Sequence, residues 1–144
     1  MNNEQFVGTW NLVSFEAQLS DGERMYPFGR DADGTLIYER NGHFSAQVMQ
    51  RDRPNFTSGD MQNGTVDEIS SAYKGYIAYY GDYVIDESEG IITHLVRGSL
   101  FPNFIGNDQT RYFKFSGNQL TLSTPPIAFG GQTLALSLIW EKAP

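Results

Sequence analysis

Apolar and polar residues alternate along most of this chain, and short clusters of Gly, Pro, Asn and Asp interrupt the alternation. Such runs are typical of β-strands, whose successive side chains point to opposite faces of a sheet. In the first run, Trp10, Leu12 and Ser14 share one face, and Val13 and Phe15 share the other. The pattern predicts eight strands, at residues 6–17, 35–39, 43–49, 76–86, 91–100, 110–115, 119–123 and 134–141.

Two local signals add a turn and a helix to these strands. Asn41-Gly42 predicts a tight hairpin, because both residues tolerate the positive φ of a type I′ turn. Thr65 and Glu68 have the spacing of a capping box, in which each side chain bonds to the other residue's backbone amide. We therefore expect one short helix near residues 65–75.

Eight antiparallel strands are enough to close a small barrel around one ligand. The 144 residues fit a single domain, residues 1–144, and the 15 glycines suit many tight turns. The polar, breaker-rich segment 51–64 predicts a long loop that acts as a lid or rim. The predicted fold class is all-β, a single antiparallel barrel of eight strands, or up to ten, with one short helix.

Composition excludes several classes of function. The net charge is −7 and the ten Lys and Arg residues are scattered, so no nucleic-acid partner is expected. No run of about 18 apolar residues and no signal-peptide pattern is present, so we expect no membrane partner and a cytoplasmic protein. With no cysteine, two histidines and no phosphate or dinucleotide motif, we expect no cofactor and no metal.

The segment 91–126 places a histidine and an arginine within an apolar strand pattern. His94 alternates with Ile92, Val96 and Leu100, so it is either a hydrogen-bonded core residue or a ligand-binding or proton-transfer residue. Arg111 is costly to bury without a partner, which could be a ligand group or an acidic residue such as Asp108. These two side chains are the candidates for catalysis if the protein is an enzyme.

Other polar and aromatic residues are candidates for orienting a ligand in the cavity. Tyr79 and Tyr80 must point to opposite faces of their strand, so at most one of them lines the interior. The amides and the second tryptophan could contribute hydrogen bonds or a cavity wall. The candidate ligand contacts are Tyr38, Gln47, Tyr80, His94, Asn103, Arg111 and Trp140.

Gly8-Thr9-Trp10 in the first strand resembles the Gly-X-Trp signature of lipocalin and calycin barrels. Three further stretches, GTLIYERNGHFSAQVMQRDRPNF, GYIAYYGDYVID and THLVRGSLFPNFIGNDQTRYFKF, extend the resemblance to bacterial and fungal lipocalin-like domain proteins over nearly the whole chain. The resemblance implies a calycin-type barrel around an apolar cavity. It also implies that Trp10 closes one end of the barrel beneath a basic side chain, for which Lys142 is the candidate.

Three functions remain open at this level. The first is a binding protein, monomer or homodimer, that holds a small hydrophobic or aromatic molecule in the barrel. The second is a cofactor-free isomerase, cyclase or lyase in the same cavity, with His94 moving a proton and Arg111 holding an oxyanion or carboxylate. The third is a structural protein whose barrel is filled by its own side chains.

Overall fold

Ten antiparallel strands form one sheet that closes on itself through the pairing of its first and last long strands. This computed structural model describes residues 3–144. The strands are β1 (Gly8–Gln18), β2 (Arg24–Met25), β3 (Asp33–Tyr38), β4 (His43–Met49), β5 (Tyr76–Asp86), β6 (Ile91–Ser99), β7 (Asp108–Ser116), β8 (Gln119–Ser123), β9 (Ile127–Phe129) and β10 (Gln132–Lys142).

The order along the sheet is β2-β1-β3-β4-β5-β6-β7-β8-β10-β9, with β1 also paired to β10. Eight strands therefore close the barrel, and the short strands β2 and β9 extend it at the edges. The predicted fold class, an all-β antiparallel barrel, is confirmed. Hairpin-connected strands of alternating polarity close in this way because closure buries all their apolar faces around one core.

The first strand departs from strict alternation. Its register against β10 shifts between Leu12 and Ser14, where a β-bulge inserts one extra residue. As a result Phe15 is buried and Val13 is exposed, so the predicted grouping of these two on one face is wrong. A bulge changes the phase of the alternation, and nothing in the local pattern marks it.

The hairpin between β3 and β4 forms where expected but with a different turn. Gly42 has a positive φ of 93°, whereas Asn41 does not, so the turn is not type I′. The Asn41 side chain instead accepts a hydrogen bond from the His43 amide at 3.2 Å, and the Gly42 amide donates to the Glu39 carbonyl at 3.0 Å. A local side-chain bond thus replaces the second positive φ.

The predicted helix is confirmed as α1 (Val66–Lys74). Thr65 and Glu68 form the reciprocal capping box, with the Thr65 amide 2.8 Å and the Glu68 amide 3.2 Å from the opposing side-chain oxygens. No residue of α1 is buried, so the helix covers the outside of the barrel and adds little to its core. No helix in the described residues is long and apolar enough to cross a membrane.

One end of the barrel is closed by an aromatic plug. Trp10 is buried, and its indole nitrogen donates to the Phe6 carbonyl at 2.8 Å. The Lys142 ammonium lies 4.7 Å from the Trp10 ring centroid and donates to the Val7 carbonyl, which confirms the predicted contact between the two side chains. The β-carbon of any larger residue at Gly8 would lie 2.7 Å from Lys142 Cε, so the signature glycine makes room for the lysine.

Alternate residues of the eight barrel strands point into the barrel interior. Aromatic side chains form two clusters in the barrel. One contains Phe6, Phe113 and Phe115 near the Trp10 plug, and the other contains Phe15, Phe28 and Phe129 at the other end. His94 and Arg111 are buried polar residues within this apolar interior. The interior thus combines aromatic clusters with buried polar side chains.

Candidate functional site

His94 lies inside the barrel on β6, between the buried residues Ile92 and Val96. Only 1% of its surface is exposed, and its ring stacks on Phe44 with centroids 4.1 Å apart and planes 15° apart. The strict alternation of β6 up to Val96 accounts for this position, since residues two apart share a face. Leu100, which lies beyond the end of the strand, is exposed, so its predicted place on this face is wrong.

Both ring nitrogens of His94 bond to tyrosine hydroxyls. Nε2 is 2.6 Å from the Tyr38 oxygen, and Nδ1 is 3.1 Å from the Tyr79 oxygen. A neutral imidazole has one donor and one acceptor, and O–H donors make shorter bonds than N–H donors. These distances favour Tyr38 donating to Nε2 and Nδ1–H donating to Tyr79, which leaves the Tyr79 hydroxyl proton available to another acceptor.

Burial determines the protonation states of His94 and Tyr38. Desolvation, together with the nearby Arg111 charge, holds the pKa of His94 well below its usual value, so the imidazole is neutral at neutral pH. Desolvation also raises the pKa of the Tyr38 hydroxyl well above 10, and the proximity of Tyr79 adds to the rise. In the Tyr38–His94–Tyr79 network, the His94 imidazole and the Tyr38 hydroxyl are therefore both uncharged at neutral pH.

Arg111 lies on the interior side of β7, opposite Ile92 of β6, with 7% of its surface exposed. Its guanidinium donates to the Thr110 carbonyl at 2.9 Å. The ion pairs of residues 3–144 join other residues at the surface, namely Arg24 with Glu16, Arg40 with Glu4, His43 with Asp82 and Arg51 with Asp33. Asp108, which was one candidate partner for Arg111, is exposed and forms no ion pair with it. Within residues 3–144, no acidic residue pairs with Arg111.

Trp140 supplies a further interior donor. It is 2% exposed, and it pairs with Leu12 of β1 and Leu120 of β8 on the inner side of the barrel. Its indole nitrogen is buried and has no hydrogen-bond acceptor among the described residues, whereas that of Trp10 is bonded. An unpaired buried donor costs about 1–3 kcal/mol, which a ligand acceptor would recover.

Three predicted ligand contacts lie outside the barrel interior. Tyr80 is 52% exposed and packs its ring over Gly98, and Gln47 is exposed and accepts a 2.6 Å hydrogen bond from the Tyr76 hydroxyl. Asn103 is exposed in the short 3₁₀ turn Pro102–Phe104. These placements correct the expectation, because strand parity and turn position direct all three side chains away from the core.

Of the adjacent residues Tyr79 and Tyr80, Tyr79 lies inside the barrel, and the set of predicted ligand contacts lacks it. It pairs with Ala46 on the inner face of β4 and makes an edge contact with Phe104. The sequence contains a usable signal: Tyr80 shares strand parity with Asp82 and Asp86, and two carboxylates mark a solvent-facing side. Phe44, which stacks on His94, carries no chemical signal and could not be found from the sequence.

Two grooves lie on the outside, between α1 and the loop at residues 51–64. The larger, about 770 Å³, is lined by residues that include Arg53, Phe56 and Met61, and the smaller, about 390 Å³, extends to Tyr73. Neither is lined by a residue of the His94 network. We place the candidate site in the interior because the buried polar groups without protein partners are there.

Comparison with known proteins identifies the family of this chain. The family model for a lipocalin-like domain matches residues 7–143. The chain belongs to the lipocalin-like domain family. A relative from Aspergillus oryzae, named 4'-hydroxy-3'-methoxypropiophenone carrier protein, is 33% identical over 107 residues, which cover 69% of this chain and 96% of the relative.

A solved lipocalin-like protein from Bacteroides uniformis is also similar in structure. Its TM-score against this chain is 0.49 at 15% sequence identity, and the match covers 96% of this chain and 99% of the other.

Proposed function

We propose that this lipocalin-like protein binds a small aromatic molecule inside the barrel, with its polar end at the Tyr38–His94–Tyr79 network. The observation that carries the proposal is the buried Trp140 indole nitrogen without an acceptor. Deeply buried donors in proteins are nearly always paired, so an open donor in this interior needs an acceptor that the described residues do not supply. The surrounding Phe, Tyr and Leu side chains supply the apolar contact area.

The carrier from Aspergillus oryzae supports an aromatic ligand of this kind. The name of that relative specifies a phenyl ketone with hydroxy and methoxy substituents, a flat ring with several hydrogen-bond acceptors. Such a molecule suits an interior that combines aromatic walls with Tyr79 and Trp140 as donors. By this proposal the chain is a carrier or sequestering protein, and its cytoplasmic location and oligomeric state stay predictions.

Catalysis is the second candidate, and the shared interior position of His94 and Arg111 is the observation in its favour. The hydrogen bonds argue against it. Both His94 nitrogens are bonded to tyrosines, and its lowered pKa makes the imidazole a weak base that is not in the imidazolium form needed for a general acid at neutral pH. The same arrangement holds the tyrosines rigidly, which suits binding.

The test is titration with 4'-hydroxy-3'-methoxypropiophenone, followed by the two indole N–H signals in nitrogen-15 NMR spectra. The Trp140 signal should shift on binding, and the bonded Trp10 signal should move little. Tyr79→Phe and Trp140→Phe should each weaken binding by about 5- to 100-fold, the equivalent of one lost buried hydrogen bond.

Tyr80→Phe is the matched control, because it removes the same hydroxyl from the outer face of the same strand. Its affinity should equal that of the wild type. Equal affinities for Tyr79→Phe, Trp140→Phe and Tyr80→Phe would exclude the interior as the binding site. Conversion of the ligand by the wild-type protein but not by His94→Gln would favour the enzyme.

A further inference from the structure

Arg111 is a buried charge with little protein compensation. One guanidinium nitrogen donates to the carbonyl of the preceding residue, and no other hydrogen bond or ion pair of Arg111 occurs within residues 3–144. A guanidinium carries five N–H donors in a planar fork. Most of its hydrogen-bonding capacity is therefore unused by the protein.

The polar groups around Arg111 do not neutralise it. Arg111 pairs with Ile92, which lies two residues before His94 on the same inward face of β6. The nearby Tyr38 and His94 side chains are both uncharged at neutral pH. Among the described residues, the buried side-chain atoms without a hydrogen-bond partner are the Trp140 indole nitrogen, which can only donate, and the Ser14 hydroxyl oxygen, which carries no charge. The interior thus presents a positive charge and additional donors, with no carboxylate among the buried residues of the described chain.

We propose that the aromatic ligand binds as an oxyanion, a phenolate, enolate or carboxylate, with Arg111 as its counter-ion. This inference rests on the proposed function and specifies the charge state of the ligand. The unused N–H fork can contact the anionic oxygen directly, and charge-assisted hydrogen bonds of this type are about twice as strong as neutral ones.

The ionisation of a bound phenol follows from the same arrangement. A cation close to a phenol in an apolar site favours the charged form, so the protein should bind the phenolate and release the phenol proton to solvent. His94 does not take this proton, because its acceptor nitrogen is bonded to Tyr38. Binding of a phenol below the pKa of the free phenol should therefore release up to one proton per molecule.

The experiment compares 4-nitrophenol, whose phenolate absorbs visible light, with its methyl ether 4-nitroanisole, which cannot ionise. The Trp140 indole signal reports whether each probe is inside the barrel. The apparent pKa of bound 4-nitrophenol should lie at least one unit below that of the free probe. At a pH where the free phenol is ionised, the phenolate should bind about tenfold or more tightly than the ether.

Arg111→Met keeps an apolar stem of similar reach and removes the charge, and Arg111→Lys keeps the charge without the planar fork. The pKa shift of the bound phenol should disappear in Arg111→Met and persist in part in Arg111→Lys. The Trp10 indole signal reports whether each variant is folded. If Arg111→Met does not fold, the two probes compared on the wild-type protein still decide the question of charge.

The outcomes separate the two proposals. If both probes shift the Trp140 signal with equal affinity and the phenol keeps its free pKa, the oxyanion inference is wrong and the proposed binding function stands. If neither probe shifts the Trp140 signal at saturation, both proposals are wrong for simple aromatic ligands. A pKa shift that persists in folded Arg111→Met would exclude Arg111 as the counter-ion.

Discussion

The Nε2 atom of His94 lies 2.6 Å from the hydroxyl oxygen of Tyr38, although the two residues are 56 positions apart in the sequence. Their strands, β6 and β3, are not neighbours, because β4 and β5 lie between them in the sheet. The bond therefore crosses the barrel interior and joins two separate parts of its wall. This crossing makes the network a structural element of the barrel as well as a candidate ligand site.

Replacing the tyrosines should have unequal effects on stability. Tyr38→Phe leaves the buried His94 Nε2 without a partner, which should cost about 1–3 kcal/mol in the free energy of unfolding. Tyr79→Phe should cost less, because its bond to Nδ1 is longer, 3.1 Å, and Tyr79 lies slightly nearer to solvent. Denaturant unfolding measures both, with Tyr80→Phe as a control that should stay within about 0.5 kcal/mol of wild type. A Tyr38→Phe protein as stable as this control would contradict the assignment.

Stability should fall as the pH is lowered through the range in which unfolded histidine takes up a proton. The pKa of His94 in the folded protein lies well below the unfolded value of about 6.5, so below that pH the unfolded state binds more protons than the folded state. The loss should approach about 1.4 kcal/mol per pH unit from this residue.

The comparison with His94→Gln isolates this effect, because glutamine does not titrate. Unfolding free energies measured from pH 7.5 down to 5 should fall more steeply for the wild type than for His94→Gln. Parallel curves would show that His94 is protonated equally in both states, and the described burial would then be wrong.

Gly8→Ala should destabilise the closed end of the barrel. An alanine there adopts an unfavourable φ of 133° and places its β-carbon 2.7 Å from Lys142 Cε, which must move away from the Trp10 ring. Loss of this cation–π contact and of the hydrogen bond to Val7 should cost about 1–3 kcal/mol in addition to the backbone strain.

A double-mutant cycle with Lys142→Ala separates the two causes. Without the lysine side chain, the steric part of the Gly8→Ala effect disappears and only the backbone strain remains. Thermal unfolding of the four proteins measures the coupling. Additive effects would mean that Gly8 acts through backbone conformation alone.

Thr65→Ala should loosen α1 without changing the stability of the barrel. The substitution removes one half of the capping box, worth about 1 kcal/mol, and no residue of the helix is buried in the core. Amide hydrogen exchange at residues 66–74 should become about fivefold faster, with an unchanged melting temperature. Ser71→Ala, an exposed position in the middle of the helix, is the control and should not accelerate exchange. A lowered melting temperature in Thr65→Ala would show that the helix supports the barrel.

Much of the fold could be predicted because it depends on local patterns. Alternating polarity identified the eight long strands, and three of them, His43–Met49, Tyr76–Asp86 and Gln119–Ser123, begin and end at the predicted residues. The capping box identified the helix. The bulge in β1 was missed and the turn type predicted at Asn41-Gly42 was wrong, because each depends on how a neighbouring strand or a single side chain pairs.

The candidate site was predictable only in part. Strand parity placed His94 on the face of Ile92 and Val96, and all three are buried, whereas the sequence left the face of Arg111 open. Strand parity alone did not show which of Tyr79 and Tyr80 faces the barrel interior. The assignment of Gln47 and Asn103 to the cavity was wrong, because amides carry no signal of the face on which they lie.

The sequence by itself determined which residues form strands, where the helix begins, and that one histidine and one arginine lie among apolar neighbours. Only the tertiary structure decided which groups meet. Closure of the barrel brings β3, β5 and β6 around one interior, so His94 bonds to both Tyr38 and Tyr79, while the Trp140 indole nitrogen keeps an unused donor. The physical reason is that alternation along a strand sets only the side of the sheet, whereas closure and register set the distances across the barrel.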